Sequence, residues 1–413
     1  MRLQSGLGGG SGRWAAVLIL LAFAYLIYVS SVKNMGRNIW DYDTQCWYAA
    51  GVCWWNGTSP HDPAIFRATW TDIFGKPPNN QATFVYPPTM ALVSVPLALL
   101  PWPVAAWVFR CVSFLAFVGI CVFSRKLLAS PLPRLGVWGP TGIYVALAML
   151  LGSVVQALHQ GQCALIVVCG CLCAWHGYQR RLLGLFLVGF LVASIKPQIS
   201  MIPLLYFVVA GGYRWFIYGA AVSIAFSVFM LLIVPLPEFV AAYESSMKDH
   251  LQHQEFNQWY WYSSAPALLG KTPWGKEFMI LGVVLGVLGT AWVGWRQRQF
   301  ADTLRHRIRH HQLMWVIAIA AMPIHLYDIV GHVFLTISLW ILPDWRRRIL
   351  AFGCMYIGGK AYGLGWRVSR LGEGFEEWGD VVQTQCTSLM SLVLLLLFVY
   401  WYWRDYGEKV RAV

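Results

Sequence analysis

The chain has 413 residues, 58% of them hydrophobic and only 12% charged. Soluble proteins carry about 25% charged residues, so most of this chain needs a bilayer as its solvent, and no polar segment is long enough to fold alone. The net charge of +13 is split among short loops rather than gathered on a basic surface with interleaved aromatics, which argues against nucleic acid as a partner.

Arg13 precedes an apolar run from Trp14 to about Val32. The run is long enough to span and too long for a signal-peptide core, so it reads as a retained first span with a cytoplasmic N-terminus. A long polar loop follows, over about residues 33–85. It opens Asn38-Ile-Trp-Asp41-Tyr-Asp43-Thr-Gln-Cys-Trp-Tyr-Ala-Ala-Gly51 and runs to Phe84-Val-Tyr86-Pro87-Pro88. Thr44–Trp55 and Pro63–Ile73 have helical spacing, and Trp47, Trp54, Trp55 and Trp70 suit short helices lying on the membrane interface. Cys46 and Cys53 share this loop and could pair if that side is oxidising. The remaining cysteines mostly sit in apolar runs as small hydrophobes, and Cys169-Gly-Cys171-Leu-Cys173 lacks zinc-site spacing.

Thr89–Leu100 re-enters the membrane, and Pro96, Pro101 and Pro103 interrupt a run that continues to Phe123. Apolar runs recur at about 139–157, 162–177, 182–195, 198–212, 215–234, 277–294, 313–324, 329–342, 349–365 and 386–403. Basic residues assign sides: Arg125, Lys126, Arg134, Arg180-Arg181, Arg214, the stretch Arg296 to Arg309, Arg346-Arg347-Arg348 and Arg404 should be cytoplasmic. His306, His310 and His311 fall in that basic stretch and are expected to be solvated. The opposite face then carries Asp41 and Asp43, His159, Lys196, a second outer loop over about 235–275, and residues 323–328. Three runs separate Tyr86 from His159, where the scheme needs an even number, so 86–124 or 139–157 is not what its hydropathy suggests. With both termini cytoplasmic, about 12 spans are expected in one domain covering 1–413. Of 18 acidic residues, only Asp302, Asp344, Asp405 and Glu408 fall on the cytoplasmic side. Acidic residues barely influence insertion, so this asymmetry fits an outer working face.

Asp41 and Asp43 are either solvated loop carboxylates or, near a dry pocket, a general base toward a sugar hydroxyl. Lys196, in Ala193-Ser-Ile-Lys196-Pro197-Gln198, either snorkels at a helix end or supplies a cation to a phosphate leaving group. His325, Tyr327 and Asp328 join two apolar runs, where ionisable groups are functional candidates or plain caps. His159-Gln160-Gly161-Gln162 offers neutral hydrogen-bonders at the same level. His250, His253 and Gln254 lie beside Asn257-Gln-Trp-Tyr-Trp-Tyr-Ser263-Ser264, which suits sugar binding or an interfacial helix equally. No histidine spacing suggests a metal, and no glycine-rich loop suggests a bound nucleotide.

Together, Asp43-Thr-Gln-Cys-Trp-Tyr48-Ala-Ala50, Phe84-Val-Tyr86-Pro87-Pro88-Thr-Met-Ala91-Leu92, Pro96-Leu-Ala-Leu-Leu-Pro101, Gly161-Gln162, Ile195-Lys196-Pro197-Gln198 and Pro323-x-x-x-Tyr327-Asp328 resemble the GT-C glycosyltransferases of family 87. That family includes polyprenyl-phosphomannose-dependent mannosyltransferases and related arabinosyltransferases. The resemblance implies an all-α integral membrane GT-C fold of about 12 transmembrane helices with interfacial helices in the first outer loop. It implies an inverting enzyme moving a sugar, mannose by family weight, from a polyprenyl-phosphate donor to a hydroxyl of a lipid-linked or cell-envelope glycan. Asp43 would be the base, with Asp41 in reserve. Lys196, His325, His159 and His253 would bind the donor phosphate; Tyr86, Gln162, Gln198, Tyr327 and Asp328 would bind sugar or acceptor. No cofactor is implied, since the leaving phosphate already carries its charge. The bacterial inner membrane, with the site on its outer face, is the expected location. The alternatives are a transporter or flippase of a lipid-linked sugar, and an oligosaccharide polymerase or ligase.

Overall fold

The computed structural model describes residues 11–27, 42–78, 83–128, 138–253, 263–269, 272–300, 304–339, 344–369, 371 and 375–410. All regular structure in them is helical.

Helix α1 (Ser11–Ile27) packs on α6 (Trp138–Met149). The first polar loop folds into α2 (Tyr42–Trp55) and α3 (Pro63–Phe74). Asp62 caps α3, accepting from the backbone N–H of Ala64 and Ile65, with Pro63 at the first helical position where its missing donor costs nothing. Trp47, Trp54 and Trp70, expected to anchor a surface helix, are buried instead; of the four tryptophans only Trp55 is exposed. Their partners explain this, because α2 lies against α4 (Ala91–Ala98) so closely that a Cβ on Gly51 would overlap the Ser94 carbonyl oxygen at 2.0 Å.

Helix α5 (Trp102–Leu128) crosses beside α8 (Ala164–Gln179), the innermost helix, which is buried nearly all round and correspondingly apolar all round. Helix α9 (Leu183–Ala193) returns antiparallel to α8, with Gly170 and Gly189 bringing the two backbones together. Helices α10 (Pro197–Phe207) and α11 (Tyr213–Leu231) follow, joined by a π-helical turn at Val208–Gly212. Then come α12 (Leu236–His253), α13 (Gly275–Phe300), α14 (Leu304–Ala321), α15 (His332–Ser338), α16 (Trp345–Val368) and α17 (Glu376–Val410).

The expected dozen spans are not there. Among the described residues, four helices are long and apolar enough to cross a membrane: Trp102–Leu127, Pro197–Leu231, Gly275–Gln299 and Gln385–Asp405. A fifth is reached by counting Thr141–Met149 and Gly152–His159 as one span, bent by 81°. Hydropathy overcounts for two physical reasons. Some apolar runs form helices too short to cross: α9 is about 16 Å long at 1.5 Å per residue, against a hydrocarbon core of about 30 Å. The runs at 198–212 and 215–234 count together within the candidate Pro197–Leu231, although Gly211, at φ 108°, breaks the helix between them just before Arg214. The run at 139–157 breaks after Met149, where a Cβ on Gly152 would meet the Gly359 carbonyl oxygen of α16 at 1.8 Å. Four apolar helices of this length associate the chain with a membrane.

His310 and His311 depart from expectation in the same way. Both are buried in α14 rather than solvated; His310 Nε2 lies 3.0 Å from the Tyr402 hydroxyl, and the His311 ring stands edge-on 4.2 Å from Trp175. Cys46 and Cys53 are free thiols. Seven residues apart on one helix, they are separated by about 10 Å of rise, beyond disulfide reach.

Candidate active site

Four polar side chains from four separate stretches meet in one row. Asp43 lies in the first turn of α2, the end of a helix that favours an anion. Gln162 donates from Nε2 to its carboxylate. The same amide accepts at Oε1 from the Lys196 ammonium at 3.2 Å, and Lys196 donates to Asp328 Oδ1 at 2.6 Å. Gln162, Lys196 and Asp328 are buried and Asp43 is half-buried.

Local sequence places each member. Gly161, at φ 65°, takes a left-handed conformation that costs any other residue about 1–2 kcal/mol. It turns the chain from α7 (Gly152–His159) into α8 and sets Gln162 inward, its N–H donating to the Ala157 carbonyl at 2.8 Å. Thr44 Oγ1 donates to the Gly161 carbonyl at 3.2 Å, fastening α2 to this turn. Pro197 starts α10 and keeps Lys196 extended before it, at φ −134° and ψ 84°. Asp328 sits in the 3-10 turn Leu326–Gly331, its N–H bonded to the His325 carbonyl at 2.9 Å.

The Tyr86-Pro87-Pro88 segment holds the row from outside. Three consecutive carbonyls each accept a side-chain bond: Phe84 from Ser246 Oγ at 2.9 Å, Val85 from the Tyr243 hydroxyl at 3.4 Å, and Tyr86 from His61 Nε2 at 2.8 Å. Since a carbonyl only accepts, His61 carries its proton on Nε2. Thr89 Oγ1 then donates to the Ser194 carbonyl at 3.0 Å, two residues before Lys196. The bound between α3 and α12 is an ion pair of Arg67 with Asp249.

Electrostatics follow from burial. Burial pushes the Asp43 carboxyl up to about 7; Lys196 pulls it down, Asp328 raises it further, and the Gln162 hydrogen bond lowers it. Burial pulls Lys196 down, yet the Asp328 carboxylate, with help from Asp43, leaves the ammonium above its ordinary value. His61 falls to about 4 because burial disfavours its cation, against a smaller opposite effect of the Tyr86 carbonyl. A half-buried carboxyl titrating near neutrality beside a firmly charged ammonium pairs a proton acceptor with a fixed cation.

Gln198 is exposed on α10, the second residue after Lys196. The Tyr86 ring packs edge-on to Trp47 at 6.0 Å. His159, at the end of α7, and His325, before the 3-10 turn, are half-buried, and Tyr327 belongs to that turn. His253 ends α12. Asp41, Gln254 and the 257–262 stretch lie outside the described residues. Among the described residues no group of three or more His, Cys, Asp or Glu side chains is placed to hold a metal ion. The sequence reading did not single out His61, Thr44, Thr89 or Ser246, because their work is done through backbone carbonyls far away in the chain.

The comparison with known families decides the class. The model for glycosyltransferase family 87 matches residues 84–323, more than half of the chain. The chain belongs to glycosyltransferase family 87. The match contains Gln162 and Lys196, starts after Asp43 and ends before Asp328. No curated protein and no solved structure matches the chain. As a family 87 member the protein is an enzyme, a glycosyltransferase dependent on polyprenyl-phosphate sugars, and the transporter alternative falls away.

Proposed function

We propose that the protein is an inverting transferase working as one catalytic unit over residues 1–413, with Asp43 as general base. The acceptor is a hydroxyl of a lipid-linked or cell-envelope glycan. Asp43 takes the hydroxyl proton as its oxygen attacks the anomeric carbon. The new glycosidic bond forms as the bond from that carbon to the phosphate oxygen breaks. The electron pair leaves with polyprenyl phosphate, whose growing charge Lys196 stabilises in a dry site. Mannose is the sugar that the family resemblance favours. The observation that carries this reading is the row joining a near-neutral carboxyl to a buried lysine.

In this reading Asp328 is the resting counter-ion of Lys196 rather than a sugar ligand, since its bond to the ammonium is only 2.6 Å long. His159 and His325 flank the turns that carry Gln162 and Asp328, and serve the donor phosphate from there. His253, Tyr86, Gln198 and Tyr327 remain proposed contacts for the donor or acceptor, and Asp41 the reserve base. In this reading the site faces outward from a bacterial inner membrane, a side that the basic residues of the loops support.

Release of polyprenyl phosphate from a radiolabelled polyprenyl-phosphate-mannose donor tests the proposal. Wild type should release it, and Asp43→Asn should lose about 100- to 10,000-fold, the usual worth of a general base. Full turnover by Asp43→Asn would remove Asp43 from the chemistry.

A further inference from the structure

We propose that Gln162 is a positioning residue for the transfer: its oriented amide carries the influence of the Lys196 ammonium to Asp43, holding that carboxylate ionised and aimed. This rests on Asp43 being the base, as argued above.

Gln162 is 1% exposed. Both ends of its amide face charged groups: Nε2 meets the Asp43 carboxylate and Oε1 meets the Lys196 ammonium. Only one orientation is chemically allowed. Turned over, the amide would set its carbonyl against a carboxylate and its NH2 against an ammonium. In the allowed orientation the ammonium draws electron density toward Oε1 and strengthens Nε2–H as a donor to Asp43, because hydrogen bonds in a chain polarise one another in low dielectric. The backbone makes this orientation rigid. The Gly161 turn, the Gln162 N–H to Ala157 and the Thr44 bond to Gly161 fix the amide's root on one side and α2 on the other. With both ends engaged inside the protein, Gln162 acts on the base and not on the sugar, contrary to the role that the resemblance implied.

Among the described residues, the titratable groups facing Asp43 are Lys196 and Asp328 along the row, Cys46 one turn along α2, and Cys163 beside Gln162. Helix α4, packed on α2, brings none. Removing the amide therefore removes the Gln162 hydrogen bond that favours the ionised carboxylate, and leaves the Lys196 attraction alone against burial and Asp328.

The test uses the purified full chain, wild type, Gln162→Leu and Gln162→Asn. Asparagine keeps the amide but is one methylene too short to reach both partners. Infrared titration follows the Asp43 carboxyl, identified by its loss in Asp43→Asn, while kcat/KM is measured against pH. Both variants should move the carboxyl titration upward on the order of one pH unit. The acidic limb should move with it, and activity above the limb should fall as well, because the carboxylate is no longer aimed. If Gln162→Leu fails to fold, Gln162→Asn decides by the same readout. Activity lowered equally at every pH, with the carboxyl titration unmoved, would overturn the inference and leave Gln162 a packing residue. If Asp43→Asn keeps full turnover, the base assignment fails, and an infrared titration that still moves in the Gln162 variants separates that failure from this one.

Discussion

Lys196 and Asp328, 132 residues apart in the chain, form an ion pair of 2.6 Å with both side chains at most 3% exposed. A buried pair of this kind adds little net stability over apolar residues of the same shape, because desolvation offsets the attraction. Its value lies in holding a charged ammonium where water is scarce.

Removing one partner is a different matter, since the other charge is then buried alone. Lys196→Met or Asp328→Asn should each destabilise the protein by about 3–5 kcal/mol. The double variant Lys196→Met/Asp328→Leu should recover most of that stability while transfer stays abolished. Thermal unfolding with a parallel transfer assay checks both halves, and a double variant as unstable as the singles would contradict the argument.

Asp43 leaves a signature in the pH dependence of stability. Its folded value of about 7 lies above the unfolded 3.8, so between those values the folded state binds more protons than the unfolded one, and stability falls as pH rises. His61 acts in the opposite direction: folded near 4 against 6.5 unfolded, it makes stability rise with pH across that window. The difference between wild type and Asp43→Asn isolates the carboxyl, and it should grow in favour of the asparagine variant from pH 4 to pH 7. A flat difference would mean that Asp43 is ordinary.

Gly161 stands at φ 65° in the turn that aims Gln162. Gly161→Ala should cost about 1–2 kcal/mol and lower transfer as well, since the turn carries one end of the row. Gly161→Asn should be milder on both counts, because asparagine tolerates the left-handed region. Equal losses from the two substitutions would point to crowding instead of backbone conformation.

Gly51 lies about two turns along the helix that carries Asp43, where a Cβ would overlap the Ser94 carbonyl oxygen at 2.0 Å. Gly51→Ala should push α2 away from α4, destabilising by about 1–3 kcal/mol as overpacking does. Because α2 moves with its aspartate, kcat should fall more than stability alone explains. Unfolding midpoints beside kcat for Gly51→Ala and a remote control such as Gly184→Ala, whose Cβ would meet open space, measure the difference.

Much of the local structure was legible in the chain. The helices at 42–55 and 63–74 appear within two residues of where their spacing puts them, since Asp62-Pro63 is a strong start signal. Lys196, read as standing at a helix end, in fact precedes a helix start, because proline fixes both its own backbone and the residue before it. The class of the enzyme was legible too, carried by short motifs that the family shares. The number of spans was not legible. Hydropathy reports how apolar a segment is, and a helix buried in protein, like α8, is as apolar as one in lipid. Nor did the sequence say which polar residues meet. Asp43, Gln162, Lys196 and Asp328 each looked like one more loop residue with a bland alternative. Only packing, through a left-handed glycine, a proline-started helix and a 3-10 turn, brought them within hydrogen-bonding distance. The sequence by itself determined an apolar, helical glycosyltransferase; the tertiary structure decided which charges face one another, because contacts between residues more than a hundred positions apart depend on how helices pack and not on what any one helix contains.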